Sequence, residues 1–305
     1  MRKTIVLFAV TLFMSLTSIE GAPVLKLNLE KGKEYKLKST NLQTMDMTMN
    51  GAQILTEISN TSSARYLAES FEADYLLVRV TFDSIISNVS NPYKSSKINT
   101  NKPGNPKKPD DLMNNVMLTL VKNPLEVKMS YIGKVIEILN LKAISDSIMK
   151  QLDSLPEATK AQMKPAVEMS TNQDMLKMMI ESPMSYLSGN AISSGDKWES
   201  KYTIKPNGME LTIDTKYKCK SISDNKAELT GDIAIESPDN GVMNMNGAQI
   251  PFEMRGMGTT EVSVDLNTGL IIKSKGRQKM QGSMTFNGNA MPLSIESKFE
   301  AEVVK

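Results

Sequence analysis

Apolar and polar residues alternate along most of the chain, and three versions of one short stretch turn that alternation back on itself. They are Met47-Thr48-Met49-Asn50-Gly51-Ala52-Gln53-Ile54, Met243-Asn244-Met245-Asn246-Gly247-Ala248-Gln249-Ile250 and Met284-Thr285-Phe286-Asn287-Gly288-Asn289-Ala290-Met291. Asn-Gly adopts the positive backbone dihedrals of a two-residue type I′ turn, whose twist suits flanking antiparallel strands. The pattern predicts three β-hairpins whose Met or Phe residues share one face, since residues two apart on a strand point the same way.

The same period of two predicts strands at Leu25–Leu29, Glu34–Lys38, Ser63–Ser70, Tyr75–Phe82, Val116–Val121, Leu125–Met129 and Val135–Ile138. Residues 87–111 break it. Five lysines sit there among Asn, Ser, Pro and Gly with hardly an apolar side chain, which predicts a flexible loop. The period then switches. Leu141, Ile144, Ile148, Leu152 and Leu155 recur at helical intervals. A second helix starts at the capping-box spacing of Ser154 to Glu157, with Pro165 expected to kink or end it. A third, Met-rich helix runs from Asp174 to a stop before Pro183. Beyond Asp196 the alternation returns as six long strands separated by tight turns such as Ser223-Asp224-Asn225 and Asn267-Thr268-Gly269.

The fold class expected is therefore α+β, mainly β. It is a long antiparallel meander in two related halves with an inserted cluster of amphipathic helices. The expected divisions are a signal peptide at 1–21, an N-terminal β half at 22–138, a helical insert at 139–190 and a C-terminal β half at 191–305. Whether the halves form one sheet or two domains is open at this level.

The leading segment changes the setting. Met1-Arg2-Lys3 precedes an apolar run from Thr4 to Leu16 and then small residues, the layout of an export signal cut near Gly21 or Ala22. A periplasmic or secreted location is expected, without a transmembrane segment after cleavage. Cys219 is the one cysteine, so neither an internal disulfide nor a lipid attachment behind the signal is available. Without the signal the chain carries 34 basic and 33 acidic residues, a balance that argues against nucleic acid as a partner. Histidine is absent, which removes the commonest general base and metal ligand.

Two chemistries are suggested by motif. Ser147-Ile148-Met149-Lys150 with Ser223-Asp224-Asn225 imitates two motifs of penicillin-binding enzymes, but Asn267-Thr268-Gly269 lacks the lysine of the third. The 23 methionines, several as Met-x-Met, could offer soft ligands to cuprous copper, though an adaptable core filler is the commoner use. The expectation is no enzymatic activity, no cofactor and no metal site.

The segments Lys31-Gly32-Lys33-Glu34-Tyr35, Tyr131-Ile132-Gly133-Lys134-Val135, Gly195-Asp196-Lys197-Trp198 and Asp265-Leu266-Asn267-Thr268-Gly269-Leu270 give the chain a further character. It resembles a family of uncharacterised exported β-rich proteins typical of Bacteroidetes-type bacteria. Members of that family often carry a lipid-attachment cysteine, which this chain lacks, and the resemblance implies no activity.

The function expected is a cell-envelope protein binding an apolar, lipid-like ligand or a protein partner. Its lining is expected from Met175, Leu176, Met178, Met179 and Ile180 of the third helix with Met243 and Met245 of a facing hairpin. The alternative is a purely structural protein in which these residues form a closed core.

Overall fold

The computed structural model describes residues 21–49, 51–105, 109–153, 155–170, 172–205, 208–245, 248–286 and 288–304. The N-terminal half comprises β1 (Glu34–Met49), β2 (Ala52–Phe71), β3 (Tyr75–Ser90), β4 (Ser95–Asn99), helix α1 (Pro109–Lys122), β5 (Leu125–Ser130) and β6 (Val135–Ile138). Helices α2 (Leu141–Leu152), α3 (Glu157–Ser170) and α4 (Gln173–Glu181) follow. The C-terminal half comprises β7 (Lys197–Ile204), β8 (Leu211–Ser223), β9 (Lys226–Glu236), β10 (Val242–Met245), β11 (Ala248–Asp265), β12 (Ile271–Phe286) and β13 (Asn289–Val304).

These strands make one open antiparallel sheet in the order β6-β5-β3-β2-β1-β13-β12-β11-β9-β8-β7, with β4 beside β3 and β10 beside β11. The two halves join through β1 and β13, which pair from Lys36↔Val304 to Met47↔Leu293. Helices α2 to α4 then carry the chain from one edge of the sheet to the other.

The hairpins are where the alternation places them. Met49 pairs with Ala52, Met245 with Ala248 and Phe286 with Asn289, so two residues separate the strands in each case. Gly51 and Gly288 have φ near +78° and +76°. The Asn of each Asn-Gly pair, and Gly247, lie outside the described residues. Asp224 and Asn225 both have positive φ and close β8 onto β9, so that motif is a turn.

One face of the sheet is buried in two clusters, one toward each end of the strands. The first gathers both halves and the helices: Val78 and Val127, Val262 and Leu229, and Ile148, Leu152, Val167, Leu176 and Ile180. The second lies at the hairpin end and holds Met243, Ile250, Phe252, Met254, Met280 and Met284. Met243 and Met284 of the repeated stretches therefore turn inward, with Met47 and Met291 packed against them as flexible filler, while Met49 and Phe286 at the hairpin tips are exposed. Between the clusters the same face carries a belt of polar and glycine positions, including Asn41, Ser297, Gly276, Gly258 and Thr260. Phe299 stands directly opposite Gly276 in that belt.

Two expectations are corrected, and of the two alternatives at Pro165 the ending of the helix is excluded. Residues 87–111 are not one loop: they contain the end of β3, all of β4 and the start of α1. Side-chain hydrogen bonds order this polar stretch where apolar burial could not. Asn114 Oδ1 accepts from Asn99 N at 2.6 Å, Thr100 Oγ1 from Ile85 N at 2.8 Å, and Asn91 Oδ1 from Lys94 N at 2.8 Å. Val116–Val121 is helical, because Leu112, Val116 and Leu120 recur every four residues and are all buried. Helix α3 continues through Pro165, and Val167 beyond it is fully buried.

The segment Leu25–Leu29 is extended and buried at alternate residues but joins no ladder. It is held by loops instead. Leu25 N donates to Asn190 O at 2.9 Å, Leu27 N to Tyr131 O at 2.7 Å and Asn28 N to Thr268 O at 2.9 Å. Two of the turns on which the family resemblance rests, those at Tyr131 and Thr268, thus meet on this one segment. Gly269, with φ +73°, lies against the Lys26 carbonyl, and its own carbonyl accepts from the buried Tyr186 hydroxyl at 2.7 Å.

On the opposite face Asp83 accepts from Lys36 Nζ at 2.9 Å and Arg65 Nε at 2.7 Å. Burial raises the Asp83 carboxyl, but these hydrogen bonds outweigh it and hold the group below its ordinary value. Its stabilisation is therefore present above the ordinary aspartate range and is lost as pH falls through the lowered folded value. A series of thermal midpoints on acidification should fall less steeply for Asp83→Asn than for the unaltered protein. Equal slopes would show that the network contributes nothing.

Candidate binding trench and a small cleft

A concavity of about 1050 Å³ lies on the solvent face of the sheet and runs across the strands. Register assigns its walls. Antiparallel partners point to the same side, so one wall is the row Ser59, Leu42, Lys298, Arg277, Thr259, Asp232. The other is Glu57, Thr44, Glu296, Lys279 and Met257. Between them Ile58, Gln43, Ser297, Gln278, Gly258 and Ile233 direct their side chains to the buried face and contribute backbone to the floor.

Charge on this face follows a ladder. Strand β12 presents Lys273, Lys275, Arg277 and Lys279 at alternate positions, and β13 presents Glu302, Glu300, Lys298 and Glu296 opposite them. Three of the four crossings pair opposite signs. Lys279 Nζ reaches Glu296 Oε1 at 2.8 Å and its hydrogen bond holds that carboxyl below the usual range. The exception is Lys298 against Arg277, two cations placed directly opposite each other, an unfavourable arrangement in a ladder. That break lies inside the trench, and Leu42 and Met257 near it are 49% and 76% exposed. Two adjacent cations flanked by exposed apolar side chains can hold a carboxylate or phosphate together with an aliphatic chain.

A second cleft of about 220 Å³ lies between α4, the 3-10 turn Ser182–Met184 and strand β7. Glu181 Oε1 accepts from Val135 N at 2.7 Å, and the Lys134 ammonium lies 3.7 Å from Glu181 Oε2 and 5.1 Å from the Tyr202 ring centre. Burial pushes the Tyr202 hydroxyl above its ordinary value. The cleft's volume is below that of ordinary small-molecule sites.

The side chains expected from sequence to line a pocket are not brought together. Leu176 and Ile180 are fully buried in the first cluster, and half-buried Met179 packs against it. Met178 lines the small cleft and Met175 is half-buried on α4. Met243 belongs to the second cluster at the hairpin end, and the Met245 side chain lies outside the described residues. Ser147 and Lys150 are exposed on α2, and Cys219 is buried, with burial raising its thiol. Among the described residues no group of three or more His, Cys, Asp or Glu side chains could hold a metal ion, and no helix is long and apolar enough to cross a membrane. Sequence reasoning missed the trench. Its trace in the sequence is the lone Lys298 in an otherwise acidic alternation from Glu296 to Glu302.

Solved structures resemble the chain at low identity. One described as lipid-protein interactions in lipovitellin aligns over 91% of this chain and 26% of its own, with 9% identity and a TM-score of 0.45. This chain therefore spans about a quarter of that one. OccK5 (OpdH) of Pseudomonas aeruginosa aligns over 90% of this chain and 99% of its own, at 6% identity and a TM-score of 0.26. OmpF of Salmonella typhi, in complex with daunomycin, aligns over 90% and 99%, at 7% and 0.23. None of these likenesses carries functional information. No curated protein matches the chain. A model of DUF6263, a family of unknown function, matches residues 74–271, well over half the chain and from the start of β3 to the start of β12. The chain belongs to that family.

Proposed function

We propose that this is an exported, non-enzymatic protein of the cell envelope whose trench binds an elongated, lipid-like anion. The basic start and apolar run of residues 1–16 support export to the periplasm or beyond. The observation that carries the binding reading is the break in the charge ladder at Lys298 and Arg277 inside the trench. The two cations face the acid group of the ligand, and Leu42 beside Lys298 and Met257 on the strand beyond Arg277 offer exposed apolar contact to its chain. The helix-lined interior is the weaker site, because the core-facing residues of α4 leave no exposed apolar surface to a ligand.

Oleate titrated against the protein tests this, with dodecyl maltoside as an uncharged amphiphile. Oleate should bind, and the Arg277→Ser, Lys298→Ser double variant should weaken it about tenfold while leaving the maltoside unaffected. Unchanged oleate affinity in that variant would remove the trench from the account.

A further inference from the structure

The three Asn-Gly hairpins gather at one end of the sheet. The second buried cluster takes Met243 and Ile250 from one and Met284 from another, and Met47 packs against it from the third. No charged residue occurs in 47–56, 240–252 or 280–295, the segments that make these tips. Asp46 borders the first tip, and its carboxylate accepts from Gln53 Nε2 within the same hairpin. The opposite ends of the same strands are charged. The turn from β2 to β3 is Glu72-Ala73-Asp74, and the turn from β11 to β12 begins at Asp265.

Exposed apolar side chains point to both faces of these ribbons. Met49 and Phe286 stand two residues beyond Met47 and Met284, so they share the face of the second cluster, yet both are exposed. Leu55 and Val242 adjoin the buried Ile54 and Met243, so they point the other way, and they are exposed too. A protein groove or a second copy of the chain would lie against one side of a ribbon. A medium that surrounds the tips meets apolar groups on both faces and needs no charged partner.

We propose that the three tips dip into the surface of a lipid bilayer, at the boundary between headgroups and acyl chains. Charge is costly at that depth, and these segments carry none. Their polar residues are the uncharged Asn, Gln, Ser and Thr, which suit the headgroup level rather than the acyl interior. Attraction through apolar contact alone makes the docking independent of anionic lipid and of salt, unlike that of a basic patch.

An environment-sensitive dye on introduced cysteines tests the proposal, since the native Cys219 is buried. Full-length protein labelled at Met49→Cys or at Phe286→Cys is mixed with phosphatidylcholine vesicles. The dye should brighten and shift to the blue, and spin-labelled lipid should quench it. The same dye at Ala73→Cys, an exposed position in the charged turn at the other end, should not respond. Adding phosphatidylglycerol or raising the salt should change neither result. Leu55→Asp with Val242→Asp, both at exposed positions, should weaken the vesicle affinity read at Phe286→Cys about tenfold. The Arg277→Ser, Lys298→Ser variant should respond as the unaltered protein does, so this docking stands or falls apart from the trench. Attachment through the apolar run at 4–16 would bring no selective response at the tips. Tip dyes that stay silent with vesicles, that respond no more than the Ala73→Cys dye, or that respond to protein concentration without vesicles overturn the proposal.

Discussion

Replacing Gly269 with alanine should cost roughly 3–5 kcal/mol of stability, read as a large fall in the urea unfolding midpoint. Two terms add at this position. Its φ of +73° is a conformation that L side chains rarely adopt. A Cβ there would also stand well inside contact distance of the Lys26 carbonyl oxygen, with the Leu27 Cα at 3.1 Å. Those atoms are backbone and cannot swing away. Moving them would disturb Asn28 N, which donates to Thr268 O, and the fully buried Leu25 and Leu27 on either side of Lys26. Gly32→Ala is the control. Its φ is +76° but nothing lies within 4 Å of the added carbon, so only the conformational term of about 1–2 kcal/mol remains. Equal losses in the two variants would mean that the N-terminal segment is not seated against this turn.

Gly276→Ala should cost about 1–3 kcal/mol, and its cost should depend on Phe299. The added carbon would meet the tip of the Phe299 ring, with Cε2 at 2.5 Å and the Thr259 carbonyl oxygen at 2.8 Å. The ring lies over the glycine directly opposite it on β13, where it covers backbone that no side chain shields. A double-mutant cycle with Phe299→Leu separates the contributions: removing the ring should recover most of the loss, with a coupling of about 1 kcal/mol or more. Strict additivity would show that the ring does not occupy that place.

Much of this architecture was legible because its signals are local. Asn-Gly between alternating runs specifies a hairpin within eight residues, and Leu141, Ile144, Ile148 and Leu152 announce α2 by their spacing. Composition misled where order comes from polar contacts. Residues 95–99 pair with β3 while Asn91, Asn114 and Thr100 tie the surrounding backbone, and none of these bonds requires an apolar side chain. The run Val116–Val121 reads as strand by propensity, yet Pro109 followed by Asp110 and Asp111 is a helix start that outweighs it.

The candidate site was hidden for a different reason. Lys298 and Arg277 are ordinary in their own strands, and only the register of β12 against β13 makes them neighbours. Leu42 joins them from the other end of the chain. Met243 and Met284 were legible as inward-facing, but neither the exposure of Met49 and Met257 nor the division of the core into two clusters was, because which strands meet across the buried face is not a local property.

The methionine methyl groups also provide the most direct test of where a ligand lies. Methyl-labelled protein titrated with a spin-labelled fatty acid should lose the Met257 resonance first, since that side chain is 76% exposed in the trench. Met178 and Met179 on α4 and Met243 in the hairpin cluster should keep theirs. Early loss at those three with Met257 untouched would move the ligand to the helices and contradict the trench.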